Sequence, residues 1–203
     1  GSYGIVRWIQ DDEGKWWVGK RSKTQSDLDD NDEKDQSKRC VGYWKTEKHC
    51  YETIGEADNI VSYQGTAPDA EGNQWMLFKP IYALNNINEV KQTSGSRPPV
   101  APTLQDLLEV DRLDHLVNDE HHLYKISEAL GIDEPSITFT LDVVVESVLQ
   151  ALVSCHEHKV VHRDVKPGNL LVGQGSLHLM DLGSAADLEP RGLLRKRQGF
   201  SGG

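Results

Sequence analysis

Cysteine is scarce in this sequence. Cys40, Cys50 and Cys155 are the only three among 203 residues, and their spacing forms no disulfide framework, so they read as reduced, intracellular thiols. Basic residues are also in deficit: 22 Lys and Arg against 32 Asp and Glu leave a formal net charge of −10. Binding along a phosphate backbone needs clustered cations, so the charge argues against a nucleic-acid partner. No apolar run approaches the roughly 18 residues of a membrane span, and no membrane contact is expected from this segment. No targeting peptide is visible, no internal repeat is present, and the chain opens on "GSYGIV" rather than on Met.

What is present is a globular composition, 37% hydrophobic and 27% charged, long enough for one or two domains with a sizeable core. Much of the acidic excess sits in "SDLDDNDEKDQSK", within residues 24 to 39, which has no hydrophobic periodicity and reads as a solvated loop. A calcium loop is excluded there. Asp27, Asp29, Asn31 and Glu33 alternate suitably, but Asp32 stands where Gly is needed and Lys38 occupies the twelfth ligand position.

"GIVRWIQ" and "KWWVGK" predict a hairpin turned by "DDEG", and the five tryptophans read as strand residues packing core and rim. "VGYWKTEKHCYETIGEA" predicts an amphipathic helix, followed by strands at "NIVSYQGTA" and "QWMLFKPIY". After a Pro-containing loop, "TLQDLLE" predicts a short helix capped by Thr103, and "YKISEALG" another ending at Gly131. "ITFTLDVVVESVLQALVSCHEH" predicts a long buried helix, with Leu141, Val144, Val145, Val148, Leu149 and Leu152 at helical spacing. Short strands "KVV", "LLV" and "LHLM" flank the run "VVHRDVKPGNLL".

That run carries the chemistry. Asp164 can accept a proton from a hydroxyl, and Lys166 places a cation beside it. Asn169 and Asp181, the latter in "LMDLGSAAD", are oxygen donors that suit Mg²⁺, which takes few protein ligands alongside phosphates. A proton acceptor, a cation and a Mg²⁺ pair together describe phosphoryl transfer. A zinc reading of Cys155, His156, His158 and His162 fails, because a buried helix and a following strand aim these side chains apart.

"HRDVKPGN" resembles the catalytic loop of protein kinases, and "DLG" resembles their magnesium-binding motif, with Leu182 in place of the usual Phe. The resemblance implies an α+β, two-lobed kinase-like fold. Residues 1–80 would form a β-rich small lobe with one helix, and 81–203 part of a helical large lobe. It also implies the rest of the site. Gly1, Ser2, Tyr3 and Gly4 are similar to the end of a Gly-rich loop, with Val6 over adenine. Lys20 would hold the α- and β-phosphates of ATP and pair with Glu47, with Glu52 the competitor for that partnership. Phe78 would be the gatekeeper, and backbone groups from Lys79 to Ile81 would meet adenine. His162 would be structural, and Arg163 resembles the arginine of kinases whose activation segment is held by a phosphate. The tail near Arg195, Lys196 and Arg197 would belong to that segment.

Lys166 followed by Pro167 resembles the serine/threonine branch, acting on protein substrates. More narrowly, "DLGSAADL", "LGIDEPSIT", the Phe78-Lys79 hinge and "GKRSK" are similar to the state-transition kinases of plant and algal thylakoids, which implies a chloroplast setting. In those kinases a membrane anchor would lie upstream of Gly1. The family pattern also implies a longer parent protein, continuing past residue 203 to an Ala-Pro-Glu motif, with this stretch inactive by itself. The alternative is a pseudokinase, a nucleotide-binding or scaffold module; such proteins generally lack one of the lysine, catalytic aspartate and metal aspartate, all of which stand here.

Overall fold

The computed structural model describes residues 4–24, 27–28, 34–82, 101–109, 119–132 and 136–188. Strands β1 (Gly4–Gln10) and β2 (Trp16–Ser22) form the expected hairpin, with Val6 opposite Lys20 and Trp8 opposite Val18. One side chain closes its turn. Asp11 accepts the backbone N–H groups of Glu13 and Lys15 and the indole N–H of Trp17. The second hairpin, β3 (Tyr63–Pro68) and β4 (Gln74–Phe78), repeats the device: Asp69 accepts from Glu71, Asn73 and the indole of Trp75. Those bonds, the one from Trp75 foremost, hold the Asp69 carboxyl down to about 2. Each aspartate thereby fixes the tryptophan six residues on, and with it the register of its hairpin. The four strands form one antiparallel sheet in the order β1-β2-β4-β3.

The strand expected over "NIVSYQGTA" begins only at Tyr63. Asn59, Ile60 and Val61 serve a different purpose: Val61 N–H donates to the Leu179 carbonyl, and Leu179 N–H donates to that of Asn59. This short ladder joins the small lobe to a hairpin of the large one. Helix α1 (Lys34–Ile54) begins well before the expected Val41 and includes the end of the acidic stretch predicted as loop. Lys, Gln and Arg are strong helix formers, and the added turns bury Cys40. Gly55, at φ +71°, ends the helix, donating its N–H to the Tyr51 carbonyl. Cys40, Glu47, Cys50, Tyr51 and Ile54 form the buried face.

In the large lobe, α2 (Leu104–Glu109) opens as predicted on Thr103, whose hydroxyl accepts from Asp106 N–H while Asp106 accepts from Thr103 N–H. Helix α3 (Asp119–Leu130) ends at Gly131, at φ +72°. Helix α4 (Ile137–Glu157) is capped by Ser136, which accepts from Phe139 N–H. A buried bond of 2.7 Å between the Ser127 and Thr140 hydroxyls ties α3 to α4. Strands β5 (Val160–Val161) and β8 (Ala186–Asp187) pair antiparallel, as do β6 (Leu170–Gly173) and β7 (Ser176–Leu179).

The expectation for α4 needs correction in one respect. The helix is present, but its fully buried positions are the small residues Thr140, Ser147, Ala151 and Cys155. Val144, Val148 and Leu152 pack at the edge of the core, while Leu141, Val145 and Leu149 stand about half exposed, at 47%, 55% and 57%. Small side chains take the inner face because the β6–β7 hairpin packs close against the helix. The expectation that no apolar segment is long enough for a membrane span also needs correction: α4 is long and apolar enough by length and composition. Its inner face is nonetheless committed to the protein core.

One core joins the lobes. Tyr51, Ile54, Met76 and Phe78 from the small lobe meet Ala151, Val172, Leu177, Leu179 and Leu182 from the large one. At its rim, a Cβ on Gly173 would lie 2.3 Å from the Tyr82 carbonyl oxygen, which accepts from Gln174 N–H. Backbone cannot yield there as a side-chain tip would. Gly173→Ala is therefore expected to destabilise the chain by about 1–3 kcal/mol, the usual range for overpacking; urea unfolding followed by circular dichroism measures it.

Candidate active site

Lys20 points from β2 toward α1 on the same sheet face as Val18, which stands opposite Phe78. Its ammonium lies 2.7 Å from both carboxylate oxygens of Glu47 and 2.9 Å from Oδ1 of Asp181. The glutamate competitor is settled: Glu52 faces outward and pairs with Lys48, one helical turn away. Burial works against the Lys20 ammonium, but the two carboxylates outweigh it and hold its pKa above the ordinary value. Glu47 is 2% exposed, and burial pushes its carboxyl up to about 7, with Asp181 adding to the rise and Lys20 opposing it.

That shift has a measurable consequence. The native chain holds a proton on Glu47 more tightly than the unfolded chain does, so this group contributes most stability below its ordinary value of 4.5. The contribution is lost as pH rises through about 7. Replacing Glu47→Gln removes the titration. Melting curves of the nucleotide-free chain are expected to show wild type losing about 2–3 kcal/mol relative to the variant between those limits.

Asp164, Lys166 and Asn169 come together in one loop. Lys166 Nζ lies 2.7 Å from Asp164 Oδ2, and Asn169 Nδ2 donates to the Asp164 backbone carbonyl at 2.8 Å and to its carboxylate at 3.1 Å. The Lys166 bond is the main cause holding Asp164 below the ordinary carboxylate value. His162, 1% exposed, packs behind the loop. Its Nε2 donates to the Met180 carbonyl and its Nδ1 accepts from Asp164 N–H, which fixes the tautomer; burial lowers its pKa and keeps the ring neutral. Arg163, at φ +65°, donates to the backbone carbonyls of Ser184 and Ala185, the residues just beyond the Asp-Leu-Gly run.

Asn169 and Asp181 fit a hard divalent cation. With Nδ2 of Asn169 engaged by Asp164, its carbonyl oxygen is the side-chain atom left to act as a ligand. The Asp181 side chain is 46% exposed. The two residues are linked through the backbone, Met180 N–H donating to the Asn169 carbonyl. Oxygen donors in small number are what Mg²⁺ accepts when phosphates and waters complete its shell.

On the nucleotide side, Phe78 is buried against Tyr51 and Tyr63, and Val6 stands 55% exposed on the same face as Lys20. Lys79 N–H is engaged by the Ser62 carbonyl and the Ile81 carbonyl by Ala101 N–H. Among the described residues, that leaves the Lys79 carbonyl and the Ile81 N–H as an acceptor and a donor for a purine edge. The Lys79 side chain turns away to Glu56, 2.7 Å distant. Gly4 is buried beside β2, whereas Gly1, Ser2 and Tyr3 lie outside the described residues, as do Arg195, Lys196 and Arg197.

Sequence reasoning missed Tyr51. It is fully buried, and its hydroxyl accepts the Asp181 N–H at 3.2 Å. The available signal was its position one helical turn after Glu47, on the same face of α1.

Comparisons with known proteins bear on the fold. The protein kinase domain family model matches residues 103–201. Among solved structures, a chain in the CAK complex of Chaetomium thermophilum, bound to ATP-gamma-S, superposes with a TM-score of 0.55 at 17% sequence identity. The match covers 95% of this chain, which spans 46% of that one. The chain thus has the two-lobed fold of a protein kinase catalytic domain, and over residues 103–201 it carries that family's sequence signature.

Proposed function

We propose that this chain catalyses ATP-dependent phosphoryl transfer to serine and threonine hydroxyls of protein substrates. The observation that carries the reading is the convergence of Lys20 on both Glu47 and Asp181, residues 27 and 161 positions away in the chain. Such a junction fixes a cation where the α- and β-phosphates would lie. Mg²⁺, bound with ATP, supplies neutralisation of the phosphate charge, and Asn169 and Asp181 are the residues that would hold it.

Each remaining side chain has a separate task. Glu47 holds the Lys20 ammonium in place. The Lys79 carbonyl and Ile81 N–H receive adenine on the sheet face that carries Val6 and Phe78. Asp164, kept ionised by Lys166, orients the acceptor hydroxyl and takes its proton. Lys166 then steadies the γ-phosphoryl group as its charge spreads over its oxygens. Because this transfer has a loose transition state, positioning and charge count for more than base strength. A low-pKa aspartate is adequate for that task.

The serine/threonine preference rests on Lys166 and Pro167, and the chloroplast thylakoid setting on the narrower sequence likeness. Incubating the full protein with γ-labelled ATP, Mg²⁺ and a generic acceptor such as myelin basic protein, followed by phosphoamino-acid analysis, tests the reading. Labelled phosphoserine or phosphothreonine is expected. Mg²⁺-dependent nucleotide binding with no transfer would instead identify a pseudokinase.

A further inference from the structure

Asp181 adopts φ +65°, ψ +70°, a left-handed conformation uncommon for a residue with a Cβ, and its own carboxylate accepts the Gly183 N–H at 3.4 Å. Two contacts reach it from the small lobe. Lys20 takes its carboxylate at 2.9 Å, and Tyr51 takes its backbone N–H at 3.2 Å. The lysine partner Glu47 and Tyr51 lie on one face of α1, a single turn apart. A closed circuit results: α1 holds Lys20 through Glu47, Lys20 holds the Asp181 side chain, and α1 holds the Asp181 backbone through Tyr51.

The tyrosine ring is itself fixed. It stacks on Tyr63 with centroids 5.9 Å apart and meets the edge of Phe78 at 5.1 Å. Leu182, next to Asp181 and 1% exposed, carries no ring, so the aromatic surface behind the metal-facing residue comes from α1 and the sheet. A ring immobilised on two neighbours can place its oxygen at one point without further ordering entropy.

We propose that Tyr51 is a positioning residue whose phenolic oxygen holds Asp181 in the left-handed conformation that presents its carboxylate to Lys20 and to Mg²⁺. The inference deepens the kinase reading, since it rests on Asp181 as a metal ligand.

Tyr51→Phe removes the oxygen and keeps the ring packing. In the nucleotide-free full protein, hydrogen exchange at the Asp181 amide is expected to rise about tenfold, the scale of one lost hydrogen bond, while exchange at Val172 in β6 stays unchanged. The Mg²⁺ concentration giving half the maximal ATP-dependent rise in melting temperature should increase about 5- to 10-fold. Tyr63→Phe, which removes a hydroxyl from the stacked neighbour, should change neither. Exchange at Asp181 within twofold of wild type, or an equal acceleration at Val172, overturns the proposal. If the unaltered protein binds no Mg²⁺-ATP, the kinase reading fails, yet the exchange comparison still decides the role of Tyr51.

Discussion

Asp164→Asn in the full protein is expected to lower turnover on a protein substrate by about 10²–10⁴, the usual size of a general-base effect. Binding of Mg²⁺-ATP should stay within about twofold, because the anchors of Asn169 are largely retained. Its Nδ2 donates to the Asp164 backbone carbonyl, which the substitution leaves in place, and only secondarily to the carboxylate. An amide of the same shape cannot take the hydroxyl proton, and it no longer balances the Lys166 ammonium 2.7 Å away. Measuring kcat at saturating ATP beside a calorimetric Kd separates the two effects. A loss of less than threefold in kcat would mean that another group receives the proton.

The second large effect concerns Lys20. Lys20→Met is expected to lower kcat/KM for ATP by about 10²–10³, the scale of removing one charge-stabilising donor from a preorganised site. The Lys20 side chain is 18% exposed and its ammonium bridges two carboxylates, so its loss leaves Glu47 and Asp181 without that cation. Glu47, already raised to about 7 by burial, then retains its proton to still higher pH. The variant should accordingly lose more melting temperature relative to wild type at pH 8 than at pH 6, by the linkage that governs Glu47. Lys20→Arg should not restore activity, since a planar guanidinium cannot present one point charge to both carboxylates and a phosphate. Restoration by arginine, or a loss independent of pH, would show that the ammonium is not the centre of the cluster.

The parts of this site that a reader of the sequence can find are those fixed by local geometry. Asp164, Lys166 and Asn169 lie within six residues, and one loop with a short 3₁₀ turn at Pro167–Asn169 is enough to bring them together. The hairpin turns and the caps at Thr103 and Ser136 are local as well, because a side chain there bonds a backbone group a few residues on. The Lys20–Glu47 pair was legible only through likeness to a family. Nothing in the spacing of 27 residues requires them to meet.

Sequence and structure differ where burial decides. Helical periodicity identified α4 but not its inner face, since a stripe of Leu and Val and a stripe of small residues share the same period. Tertiary packing chose between them: the inner face of α4 carries Ala151 and Cys155, and Val145 and Leu149 stand outside. The early start of α1 likewise depended on a buried place for Cys40. Tyr51 was passed over because a tyrosine on an apolar helix face is ordinarily core, and its bonded partner lies 130 residues away.

By itself, then, the sequence determined most strands and helices of both lobes and the candidate site residues of the Asp164–Asn169 loop, because propensity, capping and short-range hydrogen bonds act within a few residues. Which groups touch across the cleft, which helix face is dry, and how far Glu47 departs from an ordinary carboxyl were decided by the tertiary structure alone. Those properties depend on neighbours distant in the chain and on the exclusion of water, and neither exists until the lobes have packed.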